Sequence, residues 1–239
     1  MYTDIHTHIL YGTDDGPKTK NEMFDMLDLA YKDGIRAICV TPHFNFSFYG
    51  DNTDSAKVAF DELIRYSKNK YQDLHFCLGN EIFYHNACTD YLKDGICKTL
   101  NRSKYVLVDF PSSESKFNIL SAMKNLLGHG YIPVLAHAER YTDIGFSTSF
   151  IERLKEIGVI IQVNAGSLIG KNSLRERFIS RRLLQKKLCD IVASDSHNLT
   201  SRATCMSRAS EYIQKKCGVH TATLLMHTNP NNILQNKRI

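Results

Sequence analysis

Short apolar runs recur along the chain, and longer segments with helical spacing of apolar positions separate them. Most of the runs hold four to seven residues and are rich in valine and isoleucine. This pattern is typical of a parallel sheet that is covered on both faces. It predicts seven strands, at Tyr2–His6, Ile35–Thr41, Leu74–Gly79, Tyr105–Phe110, Pro133–His137, Val159–Asn164 and Ile191–Ser194.

The segments between the runs are amphipathic and mostly end in glycine, as in KNEMFDMLDLAYKDG (20–34), KFNILSAMKNLLGHG (116–130) and FSTSFIERLKEIG (146–158). A glycine just past the last apolar turn is a typical helix end. Strand and helix therefore alternate about seven times, and no linker rich in Pro, Gly or Ser divides the chain. We predict one domain over residues 1–239, an α/β barrel of about seven β/α units. An open doubly wound sheet fits the same alternation.

The composition is that of an ordinary globular protein, with 43% hydrophobic and 23% charged residues. The formal net charge is +5 and no run of like charges reaches five, which argues against a nucleic-acid-binding tail. Because no apolar run reaches 18 residues and histidines interrupt the first one, we expect neither a membrane span nor a signal peptide. The seven cysteines form no C-x-x-C pair, a usage typical of reduced thiols in a cytoplasmic protein.

Histidines and carboxylates follow the carboxyl ends of the predicted strands, where both barrels and open sheets place their chemistry. The residues are His6 and His8 after the first strand, His43, Glu81, Asp109 and His137 after the next four, and Asp195 and His197 after the last. An isolated buried carboxylate costs several kcal/mol unless a cation offsets it, so we predict that metal ions bind here. The other histidines, at 75, 85, 129, 220 and 227, lack this placement.

The predicted donors are imidazoles and carboxylates without thiolates, a set that suits Mn, Fe or Zn. They exceed what one ion can use, so we expect two or three ions with Glu81 as a bridge. Such ions lower the pKa of water and stabilise the attacking and leaving oxygens of a phosphate displacement. Arg140 and Arg202 lie just beyond ligand-bearing strand ends, and the planar fork of arginine matches phosphate oxygens.

The motifs DIHTH, DDGPKT, TPH, GNEIFY, AHAERY and ASDSHNLTSR, in this order and spacing, resemble the polymerase and histidinol phosphatase (PHP) superfamily of metal hydrolases. More narrowly, they are similar to the bacterial manganese-dependent protein-tyrosine phosphatases of capsule and exopolysaccharide clusters. The resemblance runs from about Asp4 to Arg202. H-x-H alone is a weak signal, but the set of motifs together is specific. The resemblance implies a distorted barrel of seven β/α units around a trinuclear Mn²⁺ site.

The resemblance also implies a role for each site residue. The first ion would be held by His6, His8, Glu81 and Asp195, the second by Glu81, His137 and Asp109, and the third by Asp15, His43 and His197. Arg140 and Arg202 match the phosphate-binding arginines of the family. Asp109 stands where the subfamily has a glutamate, which is one methylene longer. Of the adjacent Asp14 and Asp15, we expect Asp15 to coordinate and Asp14 to support the site by hydrogen bonding.

The implied activity is hydrolysis of phosphotyrosine in the tail of a membrane-anchored bacterial tyrosine kinase, which would regulate polysaccharide synthesis. None of the seven cysteines begins the C-x5-R pattern of cysteine phosphatases. The stretch HFNFSFYGDN (43–52) either supplies aromatic walls for a tyrosine ring or packs its own aromatics. Three alternatives stay open: a small-molecule phosphatase such as histidinol-phosphate phosphatase, a PHP nuclease, and an inactive scaffold in which metals support folding. Oligomerisation is also left open.

Overall fold

A computed structural model describes residues 1–68, 70–144 and 147–239. Its strands are β1 (Tyr2–Asp4), β2 (Ile35–Val40), β3 (His43–Phe44), β4 (His75–Leu78), β5 (Glu81–Phe83), β6 (Tyr105–Asp109), β7 (Ile132–Leu135), β8 (Ile160–Asn164) and β9 (Ile191–Ala193). Its α-helices are α1 (Lys20–Lys32), α2 (Phe46–Tyr49), α3 (Thr53–Lys68), α4 (Cys88–Lys93), α5 (Lys116–Gly128), α6 (Thr148–Glu156), α7 (Ala165–Ile169), α8 (Leu174–Gln185), α9 (Met206–Cys217), α10 (Val219–Thr223) and α11 (Asn229–Leu234). Short 3₁₀ turns lie at Leu100–Arg102 and Ala138–Arg140, and a π-helical turn lies at Leu224–Thr228.

The strands pair in parallel, in the orders β1-β2-β4 and β3-β5-β6-β7-β8-β9. Backbone hydrogen bonds continue the pairing across the short breaks that follow β2 and β4. The Gly79 N–H donates to the Val40 carbonyl at 2.9 Å, and the Glu81 N–H donates to the Pro42 carbonyl at 3.2 Å. The described strands therefore occupy seven successive positions in chain order. This order confirms the predicted α/β barrel and excludes the doubly wound sheet, whose strand order reverses at a switch point.

The chain segments that follow β1 and β9 meet and close the barrel at its carboxyl end. The Asp195 N–H donates to the His6 carbonyl at 2.9 Å, and the His8 N–H donates to the Ser196 carbonyl at 2.9 Å. A third hydrogen bond joins the two segments: the Ser194 N–H donates to the buried Asp4 carboxylate at 3.0 Å. The first and last predicted histidine pairs therefore lie side by side along this seam.

Alternate residues of the longer strands face two different apolar cores. Leu107, Val134 and Ala193 belong to a cluster inside the barrel, whereas their neighbours Val106 and Leu135 belong to the larger cluster between strands and helices. Both faces of these strands are therefore buried, which explains why the predicted strands read as continuous apolar runs.

The helices begin and end at the signals seen in the sequence. A capping box of Thr19 and Glu22 starts α1, and Gly34, with φ of 93°, follows its end. The third predicted helix forms as α6, and Phe146 at the start of that prediction lies outside the described residues. Within the described ranges, no helix is both long and apolar enough to span a membrane.

Candidate active site

All the predicted metal-binding side chains converge at the closed carboxyl end of the barrel. They form four overlapping groups in which the potential ligand atoms lie within 4.8 Å of one another: His8, Asp15, His43 and His197; His6, His8 and Glu81; His6, His137 and Asp195; and His43, Glu81 and Asp109. Most of these side chains are buried. Residues from the first to the last strand position thus contribute to a single cluster.

The Glu81 carboxylate lies at the centre of this cluster. Its Oε1 atom is 3.2 Å from His6 Nε2 and 2.9 Å from His137 Nε2. Its Oε2 atom is 3.1 Å from His8 Nε2 and 3.0 Å from His43 Nδ1. Burial raises the pKa of the Glu81 carboxyl, but the surrounding imidazoles outweigh burial and hold the pKa well below its usual range. One anionic side chain therefore contacts four imidazoles, which is the position that a bridging ligand requires.

Two arginines converge on Asp195 at the opening of the cluster. Arg140 Nη2 donates to Asp195 Oδ2 at 2.6 Å, and Arg202 Nη2 donates to Asp195 Oδ1 at 3.1 Å. Arg202 Nη1 also donates to Asp15 Oδ2 at 3.1 Å. The arginine side chains are 28% and 34% exposed, whereas that of Asp195 is 2% exposed. Both guanidinium groups are therefore held by carboxylates, and both side chains stay partly exposed to solvent.

Asp14 is buried and holds two of the histidines in place. Its Oδ2 atom is 2.8 Å from His8 Nδ1 and accepts the His43 N–H at 2.9 Å. Burial raises the pKa of Asp14, but its pair with His8 outweighs burial and lowers the pKa to about 2. Two residues after Asp14, position 16 must be glycine, because a Cβ atom there would lie 2.2 Å from the His8 carbonyl oxygen. This arrangement favours a supporting role for Asp14.

Asp15 points into the cluster from its more exposed side. Its Oδ1 atom is 3.2 Å from His197 Nε2 and 3.5 Å from His43 Nε2. Burial and the neighbouring His8 lower the pKa of His197 to about 4, so its imidazole is neutral at pH 7, the form that binds metal ions. The geometry therefore favours Asp15 over Asp14 as the coordinating aspartate.

Asp109 lies at the edge of the cluster, with 3.6 Å between its Oδ1 atom and His137 Nε2. The same oxygen accepts the Tyr141 hydroxyl at 3.1 Å and the Phe110 N–H at 2.7 Å. Burial raises the pKa of the Asp109 carboxyl. Two protein donors thus satisfy one oxygen of this shorter side chain.

Strand β8 carries no predicted ligand but supplies two buried amide side chains that sequence reasoning missed. Gln162 Oε1 accepts the His137 N–H at 2.8 Å and lies 3.0 Å from His6 Nδ1. Gln162 Nε2 donates to Asn164 Oδ1 at 2.8 Å, and Asn164 Nδ2 donates to Asp195 Oδ2 at 2.7 Å. Because Gln162 Oε1 accepts a hydrogen bond from His6 Nδ1, the Nε2 atom of the His6 ring faces the cluster and can act as a metal ligand. Two polar residues at i and i+2 in a buried strand were the available signal.

Replacing Gln162 by leucine is expected to weaken metal binding by about 10- to 100-fold, because the His6 ring loses the partner that orients it. Competition with a chelator of known affinity measures the change, and circular dichroism verifies folding. Gln185→Leu, at the exposed end of α8, is the matched control. Unchanged metal affinity in folded Gln162→Leu protein would contradict the positioning role.

Two candidate ligands adopt a strained backbone. His137 has φ of 31° and Asp195 has φ of 51°, the left-handed region that residues other than glycine rarely occupy. Such strain clusters at functional sites because the surrounding structure must enforce it. Here the backbone leaves the strand direction at each residue and turns its side chain into the cluster.

The donor chemistry fits divalent metal ions. Glu81 Oε2, His137 Nδ1 and His197 Nε2 are buried without a hydrogen bond of good geometry to any described residue. His6 Nε2 and His8 Nε2 lie 3.2 Å apart and also contact the Glu81 carboxylate. A proton between the two nitrogens can satisfy only one hydrogen bond of this group. Burial and His43 lower the pKa of His8, but Asp14 and Glu81 outweigh them and raise it to about 9. Protons thus hold positive charge where a metal ion would replace them.

Known proteins share this architecture along the full chain. A family model described as capsular polysaccharide synthesis, CpsB/CapC, matches residues 2–235. The tyrosine-protein phosphatase CpsB of Streptococcus pneumoniae is 31% identical over 241 residues, 99% of each chain. The tyrosine-protein phosphatase YwqE of Bacillus subtilis (strain 168) is 32% identical over 236 residues, 99% of this chain and 92% of YwqE.

A crystal structure from work on YwqE and CpsB, described as unique metal-dependent tyrosine phosphatases, superposes with a TM-score of 0.92. It is 31% identical, and the match covers 99% of this chain and 96% of that one. An organophosphorus hydrolase variant shares the fold alone, with a TM-score of 0.63 and 10% identity over 98% of this chain and 92% of its own. The resemblance inferred from the motifs is thereby confirmed, and the chain belongs to the CpsB/CapC family of capsular polysaccharide synthesis proteins.

Proposed function

We propose that this chain is a metal-dependent protein-tyrosine phosphatase. The observation that carries the proposal is the Glu81 carboxylate within 3.2 Å of four histidine rings, beside two arginines that converge on one aspartate. The relatives named tyrosine-protein phosphatases match along nearly the full chain, which supports the same chemistry here. The family match over residues 2–235 also supports one catalytic domain over residues 1–239.

The cluster would hold two or three ions, and we propose Mn²⁺, with Fe or Zn as alternatives that the donor set also accepts. The proposed ligands are His6, His8, Glu81 and Asp195 for one ion, Glu81, His137 and Asp109 for a second, and Asp15, His43 and His197 for a third. When bound, such ions supply positive charge and lower the pKa of water toward neutrality.

Arg140 and Arg202 bind and orient the phosphate of the substrate. Their guanidinium groups are held by Asp195 at one end of the cluster, so little reorganisation is needed when an anion arrives. They then share the negative charge that spreads over the phosphoryl oxygens in the transition state. The phenolate of tyrosine, with a pKa of ~10, leaves without a strong general acid. This chemistry requires no cysteine nucleophile.

We further propose that the substrate is the phosphotyrosine tail of a membrane-anchored bacterial tyrosine kinase, and that its dephosphorylation regulates capsule or exopolysaccharide synthesis. The family description supports the link to capsular polysaccharide. The net charge of +5 favours acidic phosphorylated segments over basic ones. Action on such a tail places the chain in the cytoplasm.

Removing the metal should abolish hydrolysis of a phosphotyrosine peptide, and added Mn²⁺ should restore it. We expect a loss of at least about 10³-fold, because metal ions supply several kcal/mol of transition-state stabilisation. The assay compares a phosphotyrosine peptide with histidinol phosphate at matched metal content, determined by elemental analysis. A higher kcat/KM for histidinol phosphate, or activity that survives metal removal, would overturn the proposal.

A further inference from the structure

The segment between β3 and α3 exposes aromatic side chains beside the candidate active site. Phe48 is 79% exposed and Phe46 is 46% exposed, while Tyr49 is half-buried. A loop that merely packed its own aromatics would bury Phe48. The Phe48 ring is therefore available to a ligand beside the site, which the core of the chain does not cover.

Phe48 and Tyr49 form an angled pair of rings, named here the aromatic corner. Their ring centroids are 5.3 Å apart with an interplanar angle of 67°. The Tyr49 ring also lies nearly parallel to that of His43, with centroids 5.5 Å apart and an interplanar angle of 8°. Since His43 Nδ1 is 3.0 Å from Glu81, the aromatic corner adjoins the proposed metal cluster.

The base of this loop is anchored to the barrel. Asn52 Nδ2 donates to the carbonyl oxygens of His43 and Thr13, at 2.9 Å in each case. Phe46 packs against Tyr91, with ring centroids 6.2 Å apart. Gly50, with φ of 66°, turns the chain back after α2, a conformation that favours glycine. The aromatic corner is therefore held in place from both sides of the loop.

We propose that Phe48 and Tyr49 form a subsite for the phenyl ring of the substrate and make the enzyme selective for aryl over alkyl phosphate esters. The proposal rests on the proposed function. Arginines and metal ions contact the phosphoryl group, which aryl and alkyl esters share, so they cannot discriminate between the two in binding. Selectivity in binding must come from contacts to the leaving group. Aromatic rings arranged edge-to-face or offset-parallel increase the affinity for a further ring by about two- to tenfold.

Calorimetry on the metal-loaded protein tests the subsite with two ligands that cannot be hydrolysed, phenylphosphonate and methylphosphonate. The wild type is expected to bind phenylphosphonate more tightly. Tyr49→Ala and Phe48→Ala should each lower the affinity for phenylphosphonate by about three- to tenfold and leave the affinity for methylphosphonate unchanged. Tyr49→Phe should retain the preference for phenylphosphonate. The KM for a phosphotyrosine peptide should rise in parallel, with kcat changed less than about twofold.

Phe117→Ala is the matched control, because Phe117 is also 79% exposed but lies on α5. Equal weakening of both phosphonates would show that the loop only supports the phosphate site, and unchanged binding of both would show that the rings contact nothing in the substrate. Either result overturns the subsite while phosphotyrosine hydrolysis by the wild type stands. A wild type that does not hydrolyse phosphotyrosine overturns the proposed function and the subsite together.

Discussion

Glu81→Gln is expected to lose bound metal and at least about 10³-fold in kcat, because ions in such a site contribute several kcal/mol. The substitution keeps the size of the side chain but removes the negative charge that contacts the imidazoles of His6, His8, His43 and His137. An amide also offers a single acceptor oxygen, so it cannot bridge two ions. Elemental analysis of the purified variant gives the metal content, and turnover of a phosphotyrosine peptide gives the rate.

Glu152→Gln serves as the control for Glu81→Gln, since Glu152 is exposed on α6 and the substitution changes the net charge by the same amount. Circular dichroism distinguishes loss of metal from loss of fold. Folded Glu81→Gln protein with a full complement of metal and wild-type turnover would show that this carboxylate is not a ligand.

Arg140→Ala is expected to lower kcat/KM by about 10²- to 10³-fold while metal content stays near the wild-type value, as for removal of one preorganised donor from a charge-stabilising site. The side chain of Arg140 is 28% exposed and lies at the opening of the cluster rather than among the proposed ligands. Arg140→Lys should recover only part of the loss, because an ammonium group cannot contact Asp195 and two phosphate oxygens with a planar fork. Steady-state kinetics with a phosphotyrosine peptide measure both variants.

Arg153→Ala, which removes an exposed arginine of α6, controls for the change in net charge. The double variant Arg140→Ala/Arg202→Ala should be less impaired than the product of the single effects, since both arginines contact Asp195 and share one phosphate. Loss of metal in Arg140→Ala, or kcat/KM within twofold of wild type, would contradict a direct role in phosphate binding.

The sequence predicts the strands and the convergence of the site because one physical rule connects them. In a barrel of parallel strands, all the carboxyl ends meet at one edge, so unusual polar residues after successive apolar runs must lie close together. His6, Glu81 and Asp195 are distant in sequence, yet this rule brings them within one cluster. The roles of individual ligands stay predictions that the metal and kinetic measurements above address.

Other features depend on tertiary geometry that a local pattern alone does not reveal. Gln162 and Asn164 belong to an apolar strand, and only the folded barrel shows that they orient His6 and Asp195. The positive φ of His137 is likewise imposed by its surroundings, because histidine itself prefers other conformations. Six of the seven predicted strands therefore extend too far at their carboxyl ends, where the backbone turns away to present side chains, whereas β8 ends at Asn164 as predicted.

The seam that joins the first and last strands has a consequence during protein synthesis. The histidines that follow β1 leave the ribosome before their partners Asp195 and His197, which appear only after β9 has been made. A nascent chain can form helices and most strand pairs before that moment, yet it lacks the residues that complete the metal-binding cluster. Translation that stops before β9 would therefore leave a fragment that carries the first pair of histidines without the residues that face them, so activity requires that β9 and the segment after it have been made.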